Sequence, residues 1–160
     1  MLRLATAQEL LVNQFVMGRC NHPVFRIDET TESHPLPLGR RYERYRYEAV
    51  CSSCHTRKWI QNDIGGKREP DREEAEIALR CAITCWFSDV VTARIVLRKL
   101  NDLGWQGGPM RYKGKYRCTL KNGERTLPLM HSDSDIEAEA IGDAAVSIAR
   151  VLQREKQIAA

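Results

Sequence analysis

GRCNH at residues 18–22 and VCSSCH at residues 50–55 bracket a stretch with no long apolar run, and their reading decides what fold this chain can have. Cys20 and His22 form a C-x-H pair, and Cys51 and Cys54 a C-x-x-C pair. Two ligands at such spacing can grip one ion from a tight turn. Two such pairs complete a tetrahedron, the geometry of Zn²⁺, whose usual ligands are thiolate and imidazole. Four protein ligands leave no position open for water, so the expected role is structural rather than catalytic. Metal in small finger-type units contributes roughly 10–16 kcal/mol in apparent terms, enough to order residues 19–62, where a core is lacking. His34, in the intervening loop, and His55, directly after Cys54, are alternatives to His22. The competing reading is a free thiol pair with an unrelated Cys20 and His22. A redox C-x-x-C sits before a helix, and the sequence after Cys54 is not helical.

The chain has 160 residues, 42% hydrophobic, with 25 basic and 21 acidic side chains, a net charge of +4 and six cysteines. That size predicts a single domain over 1–160, with 19–62 as a metal-dependent subregion and 71–156 as a helix–helix–hairpin–helix core. Wholesale disorder is excluded by the apolar fraction. No stretch approaches the ~20 apolar residues of a membrane span. MLRLATAQELL lacks an apolar signal region, so the expected location is cytoplasmic, with no membrane partner. Cysteines in a reducing compartment are ligands, nucleophiles or core filler. Cys81 and Cys85, among Ala, Ile, Leu and Trp, and Cys118, on the apolar side of a strand, read as packing.

The elements follow from periodicity and caps. Thr6-Ala7-Gln8-Glu9 is a capping box, and a helix follows through Leu10, Leu11, Phe15 and Val16 to a stop at Gly18. Val24–Ile27 is a short strand, 28–39 a polar loop, Tyr42–Val50 a strand, Trp59-Ile60 its return, and 63–70, with Gly65-Gly66, a loop. Asp71 with Glu74 opens a second helix, and Ser88 caps a third that ends at Gly104. Met110–Tyr112 and Tyr116–Leu120 flank Lys113-Gly114, and Asn122-Gly123 predicts a second, type I′ hairpin turn before Arg125–Leu127, with Pro128 at an edge. Ser134-Asp135-Ile136-Glu137 is a third capping box, opening a last helix with Ile141, Ala144, Ala145, Ile148, Val151 and Leu152 inward. The fold class is α+β: an antiparallel β-hairpin or sheet packed between helices, with a small zinc-ribbon-like β insertion after the first helix.

Arg40, Arg41, Arg44 and Arg46 interleave with Tyr42, Tyr45 and Tyr47, a basic and aromatic strand suited to binding another macromolecule. Arg pairs with phosphates and Tyr stacks on bases, while protein interfaces favour the same two residues. Partial balance by Glu43 and Glu48 is the plain alternative of a solvated strand. No G-x-S-x-G, H-E-x-x-H, P-loop or G-x-G-x-x-G is present, so no enzyme is expected. Asp133 and Asp135 suit a helix start better than a carboxylate pair, and the His131-Ser132-Asp133 run is cheap to find by chance.

Three stretches resemble the phage ABA-sandwich domain family, small proteins of tailed phages and prophages: ELLVNQFVMGRCNH (Glu9–His22), WFSDVVTARIVLRKLNDLGW (Trp86–Trp105) and the hairpin with the acidic start of the last helix (Arg117–Leu152). The resemblance covers about two thirds of the chain. It implies an antiparallel sheet packed on helices, with metal at Cys20, His22, Cys51 and Cys54 near the first helix. The long arginine-rich loop and the helix over 71–85 depart from the pattern. The expected function is therefore a non-enzymatic accessory protein, holding structural Zn²⁺ and binding a host or phage protein, for instance as an inhibitor of a host defence system. Nucleic-acid binding through residues 40–47 is the alternative.

Overall fold

The computed structural model describes residues 3–64, 68, 70–123, 125–126 and 134–160. Among these the protein is α+β, with two antiparallel three-stranded sheets and four helices. In chain order the elements are α1 (Ala7–Phe15), β1 (Phe25–Pro35), β2 (Arg41–Cys51), β3 (Arg57–Ile64), α2 (Arg72–Arg80), α3 (Val90–Asp102), β4 (Gln106–Tyr112), β5 (Lys115–Asn122), β6 (Arg125–Thr126) and α4 (Glu137–Ala159). They form two compact units, one of residues 3–4 with Cys20–Ile83, the other of Ala5–Arg19 with Thr84–Ala160.

The first unit is the β1-β2-β3 sheet with α2 laid on it. Residues 28–35 are strand rather than the expected loop. β1 runs unbroken to Pro35, paired with β2 from Phe25↔Cys51 to Pro35↔Arg41. No apolar alternation signals this strand; it is held by the ladder and by charge, with Arg46 reaching across to Glu32 at 2.9 Å. The register slips between Tyr47 and Glu48 of β2, where β3 carries an extra residue. α2 opens with the expected box, Asp71 accepting from the Glu74 N–H at 2.8 Å and Glu74 returning to Asp71 N–H at 3.1 Å. Its Ala75 and Leu79 pack on Ala49 and Cys51, so α2 belongs to this sheet and not with the later helices.

The second unit holds α1, α3 and α4 with the β4-β5-β6 sheet. Val12, Val16, Trp86, Val96, Leu100, Trp105, Leu120 and Ile148 make its core. α4 contributes mostly alanines, which let its neighbours approach closely; at Gly142 even a Cβ would stand 3.0 Å from the Phe87 ring. Asp89, not Ser88, caps α3, its Oδ1 accepting from the Val91 and Thr92 N–H groups at 2.8 and 2.9 Å. Nor does Ser134 start α4. It is drawn into an antiparallel bridge with Tyr116, and the helix begins at Glu137 without a side-chain cap. The type I′ turn falls at Lys113-Gly114, both at positive φ (49° and 81°), while Asn122 pairs with Arg125 and so flanks its turn. The expectations on Gly65-Gly66, Pro128, His131 and Asp133 lie outside the described residues.

Glu9 ties α1 to the segment before α3. It is fully buried, closes the α1 capping box by accepting from Thr6 N–H at 2.8 Å, and accepts from Phe87 N–H at 3.1 Å. Beside it Asn13, also buried, accepts from the Trp86 indole N–H at 3.1 Å. Glu9→Ala strands two donors and is expected to lower stability by about 2–4 kcal/mol in urea denaturation, with Glu9→Gln costing less because one acceptor remains. The depressed carboxyl pKa of Asp89, set first by the Thr92 N–H, adds a pH signature. Its stabilisation is present above the ordinary value of 3.8 and is lost as pH falls through the lower folded-state value. Asp89→Ala should lower the thermal midpoint near neutral pH by several degrees, and the difference from wild type should shrink in acid.

Candidate metal centre

Two short segments of the first unit carry the candidate ligands. In Cys20-Asn21-His22 the backbone is left-handed at His22, whose φ is 55°. Cys51 ends β2, and the chain reverses through Ser52–His55 before β3. The reversal is locked by backbone bonds: His55 N–H to Cys51 C=O and Cys51 N–H to Thr56 C=O, both 3.0 Å. Ser52 N–H donates to Val24 C=O at 2.9 Å, joining the second segment to the chain that leaves the first. His55, at φ 58°, occupies the left-handed position that a turn of this kind needs and that glycine fills most cheaply.

The Sγ atoms of Cys20, Cys51 and Cys54 and one ring nitrogen of His22 all lie within 4.8 Å of one another. Cys20 and Cys51 sulfurs are 3.7 Å apart, far from the ~2.05 Å of a disulfide. Thiolates about 2.3 Å from Zn²⁺ stand about 3.8 Å from each other in a regular tetrahedron. Cys54 Sγ is 3.2 Å from His22 Nδ1, somewhat inside the corresponding sulfur–nitrogen edge of about 3.6 Å. All six cysteines are free thiols. The cluster could hold a metal ion, with three sulfurs and one nitrogen as donors.

The electrostatics differ from ligand to ligand. Burial pushes the Cys20 thiol up, partly offset by the His22 N–H that its sulfur accepts at 3.3 Å. Desolvation, with Lys58 second, lowers His22 and keeps its imidazole neutral, the form that coordinates. The Thr56 hydroxyl, 3.1 Å from Cys54 Sγ, brings that exposed thiol down to about 7. Sequence reading passes over Thr56; a hydroxyl two residues beyond a cysteine ligand is the available signal.

The other candidates separate. His34 lies at the far end of β1, about 30 Å of strand from Phe25, with its ring stacked on Tyr42 at 5.0 Å. The arginine–tyrosine strand divides between two faces. Tyr42, Arg44 and Arg46 share one, while Tyr45 and Tyr47 share the other, where Tyr47 is buried at 2% exposure. Arg46 pairs with Glu32 and lies over the Trp59 ring at 4.7 Å; Arg57 pairs with Glu48 and Asp28, and Arg26 with Asp28. Over residues 25–51 five arginines are matched by five carboxylates, so the β1–β2 ribbon carries no net charge and is not where the basic excess sits. Arg40 and Arg41 are exposed beside its tip, where Leu38, at φ 68°, is 94% exposed and Leu36 43%.

Of the cysteines expected in packing, Cys81 is exposed, because α2 ends at Arg80 and leaves it outside the helix. Cys118 packs against the core clusters, and burial pushes its thiol up to about 11.

Ligand identity can be read by competition with a chromophoric zinc chelator. His22→Ala is expected to weaken metal binding by about 100-fold or more, while His34→Ala and His55→Gly leave it unchanged. No family model, curated protein or solved structure matches the chain, so the cluster's own geometry is what bears on its chemistry.

Proposed function

We propose that this chain is a non-enzymatic binding module in which a structural Zn²⁺ on Cys20, His22, Cys51 and Cys54 fastens a zinc-ribbon-like unit, and that this unit presents the β1–β2 ribbon to a protein partner. The convergence of four protein donors within 4.8 Å carries the reading. A set of three thiolates and one imidazole favours zinc over the harder Mg²⁺ and Ca²⁺, and a filled tetrahedron has no position for a reacting water. The ribbon supports a protein rather than a nucleic acid as partner. Residues 25–51 hold as many carboxylates as arginines, with Arg26 on Asp28 and Arg46 on Glu32, whereas phosphate backbones select a cationic excess. Its tip offers Leu36 and Leu38 flanked by Arg40 and Arg41, an apolar anchor with a polar rim. Under the resemblance to phage accessory proteins, that partner is a host protein, and blocking a defence component by occupancy is the corresponding role.

Elemental analysis of purified protein is expected to give about one Zn²⁺ per chain, lost in Cys51→Ser/Cys54→Ser together with the ordered first unit. A metal-free protein with that unit intact would overturn the zinc reading. For the partner, a photo-crosslinking residue placed at Leu38 should give discrete protein adducts in lysate, competed away by unlabelled wild type and not by its Leu36→Ser/Leu38→Ser form. Adducts to nucleic acid alone would favour the other class.

A further inference from the structure

The second unit holds an open cleft of about 560 Å³ between α3, the β4–β5 hairpin and the first turn of α4. It has the size of a small-molecule site. Arg94, Leu97, Arg98 and Asn101 recur at helical spacing and form the α3 wall. Pro109 and Arg111, two apart on β4, form the other wall with Tyr116, which the hairpin register sets opposite Arg111.

The three arginines are not equivalent. Arg94 is neutralised by Glu137: its Nε and Nη2 donate to the two carboxylate oxygens at 2.9 and 3.1 Å. This bidentate pair fixes one end of the cleft. Arg98 and Arg111 are exposed and have no ion pair or hydrogen bond among the described residues; Arg111 has only the Tyr116 ring, 5.9 Å away. Two guanidinium groups without a carboxylate partner among the described residues line one concave surface, so an anion bound there finds cationic donors on both walls. Guanidinium forks match the oxygens of phosphate. With the polar Asn101 beside them, Leu97, Pro109 and the Tyr116 ring form the apolar part of the lining. A bare hydrated anion gains nothing from it, whereas a flat organic body does.

We propose that this cleft binds a small organic phosphate of mononucleotide type, its phosphate on Arg98 and Arg111 and its aromatic body against Leu97, Pro109 and Tyr116. Two free cations lining one open cleft suit one phosphate group. A nucleic-acid strand asks instead for a track of cations along a groove. The proposal stands on residues of the second unit only and does not depend on zinc or on the ribbon.

Isothermal titration of the full-length protein with adenosine, guanosine, cytidine and uridine monophosphates, with the parent nucleosides and with inorganic phosphate tests it. At least one mononucleotide is expected to bind, with its nucleoside and inorganic phosphate each at least about tenfold weaker and with affinity falling as salt rises. Arg98→Gln/Arg111→Gln should lose at least about tenfold in affinity at an unchanged thermal midpoint, whereas Arg150→Gln, on the exposed side of α4, should bind as wild type. Inorganic phosphate binding as tightly as every mononucleotide would mean an adventitious ion only and would overturn the proposal. So would the absence of binding at millimolar mononucleotide, undiminished affinity in the double variant, or binding confined to oligonucleotides.

Discussion

The convergence of Cys20, His22, Cys51 and Cys54, which could hold a metal ion, is the constraint around which the first unit is arranged. Its apolar cluster is Ala49, Cys51, Ala75 and Leu79, with Cys20, Phe25 and Ile60 beside them, and Tyr47, Val50 and Ile83 are buried as well. Against that, three strands of eight to eleven residues must be ordered. Backbone ordering costs on the order of 1–2 kcal/mol per residue, and a metal held by the four donors would add to what the apolar burial contributes. The four ligands stand at the end of the sheet where β1 begins and β2 ends, joining the segment before the first strand to the turn before the third. Cys51 belongs to both the apolar cluster and the Cys/His group that could hold a metal, and so it joins the two.

The second unit solves the same problem by ordinary means. Two tryptophans, a long alanine-rich helix and a buried carboxylate define its centre. Glu9 combines roles that usually fall to separate residues: it caps its own helix and satisfies a backbone donor 78 residues away. Such a group fixes α1 against one particular partner segment, since a neighbour without the Phe87 N–H would take a donor from Oε1 and leave the buried carboxylate only partly satisfied. Phe87 then lies against Gly142 of α4, on which α1 also packs directly.

Legibility in the sequence followed the range of the interaction that decides each element. Thr6/Glu9 and Asp71/Glu74 act over three residues, and both boxes form as the letters say. The C-x-H and C-x-x-C pairs are equally local, and they converge. Residues 28–35 were illegible as strand because nothing in their own composition makes them one; Glu32, Thr30 and His34 acquire their partners from β2. The placing of α2 was illegible for a related reason, since Ala75 and Leu79 would suit any apolar surface and only the sheet beneath decides. At Ser134 and at Asn122 the local signal was sound but lost to a ladder: the bridge to Tyr116 and the pairing with Arg125 are non-local and outweigh a cap or a turn preference. The cleft on α3 escaped because its arginines are spaced as any solvated helix face would be, and their meaning comes from the hairpin opposite.

Cys20–Ile83 is inserted between α1 and α3, so the first unit is attached to the second at both of its ends. A polymer held at both ends behaves as a loop, not as a tail. If the inserted stretch loses its order, the surrounding helices remain linked through a closed ring, and the entropy of closing such a ring grows only with the logarithm of its length, about 0.6 kcal/mol for each doubling. Lengthening or shortening the β1–β2 ribbon therefore perturbs the host helices very little. By the same arithmetic a change of length at the far end of the ribbon, around residues 36–40, falls on the inserted stretch and not on the helices that flank it.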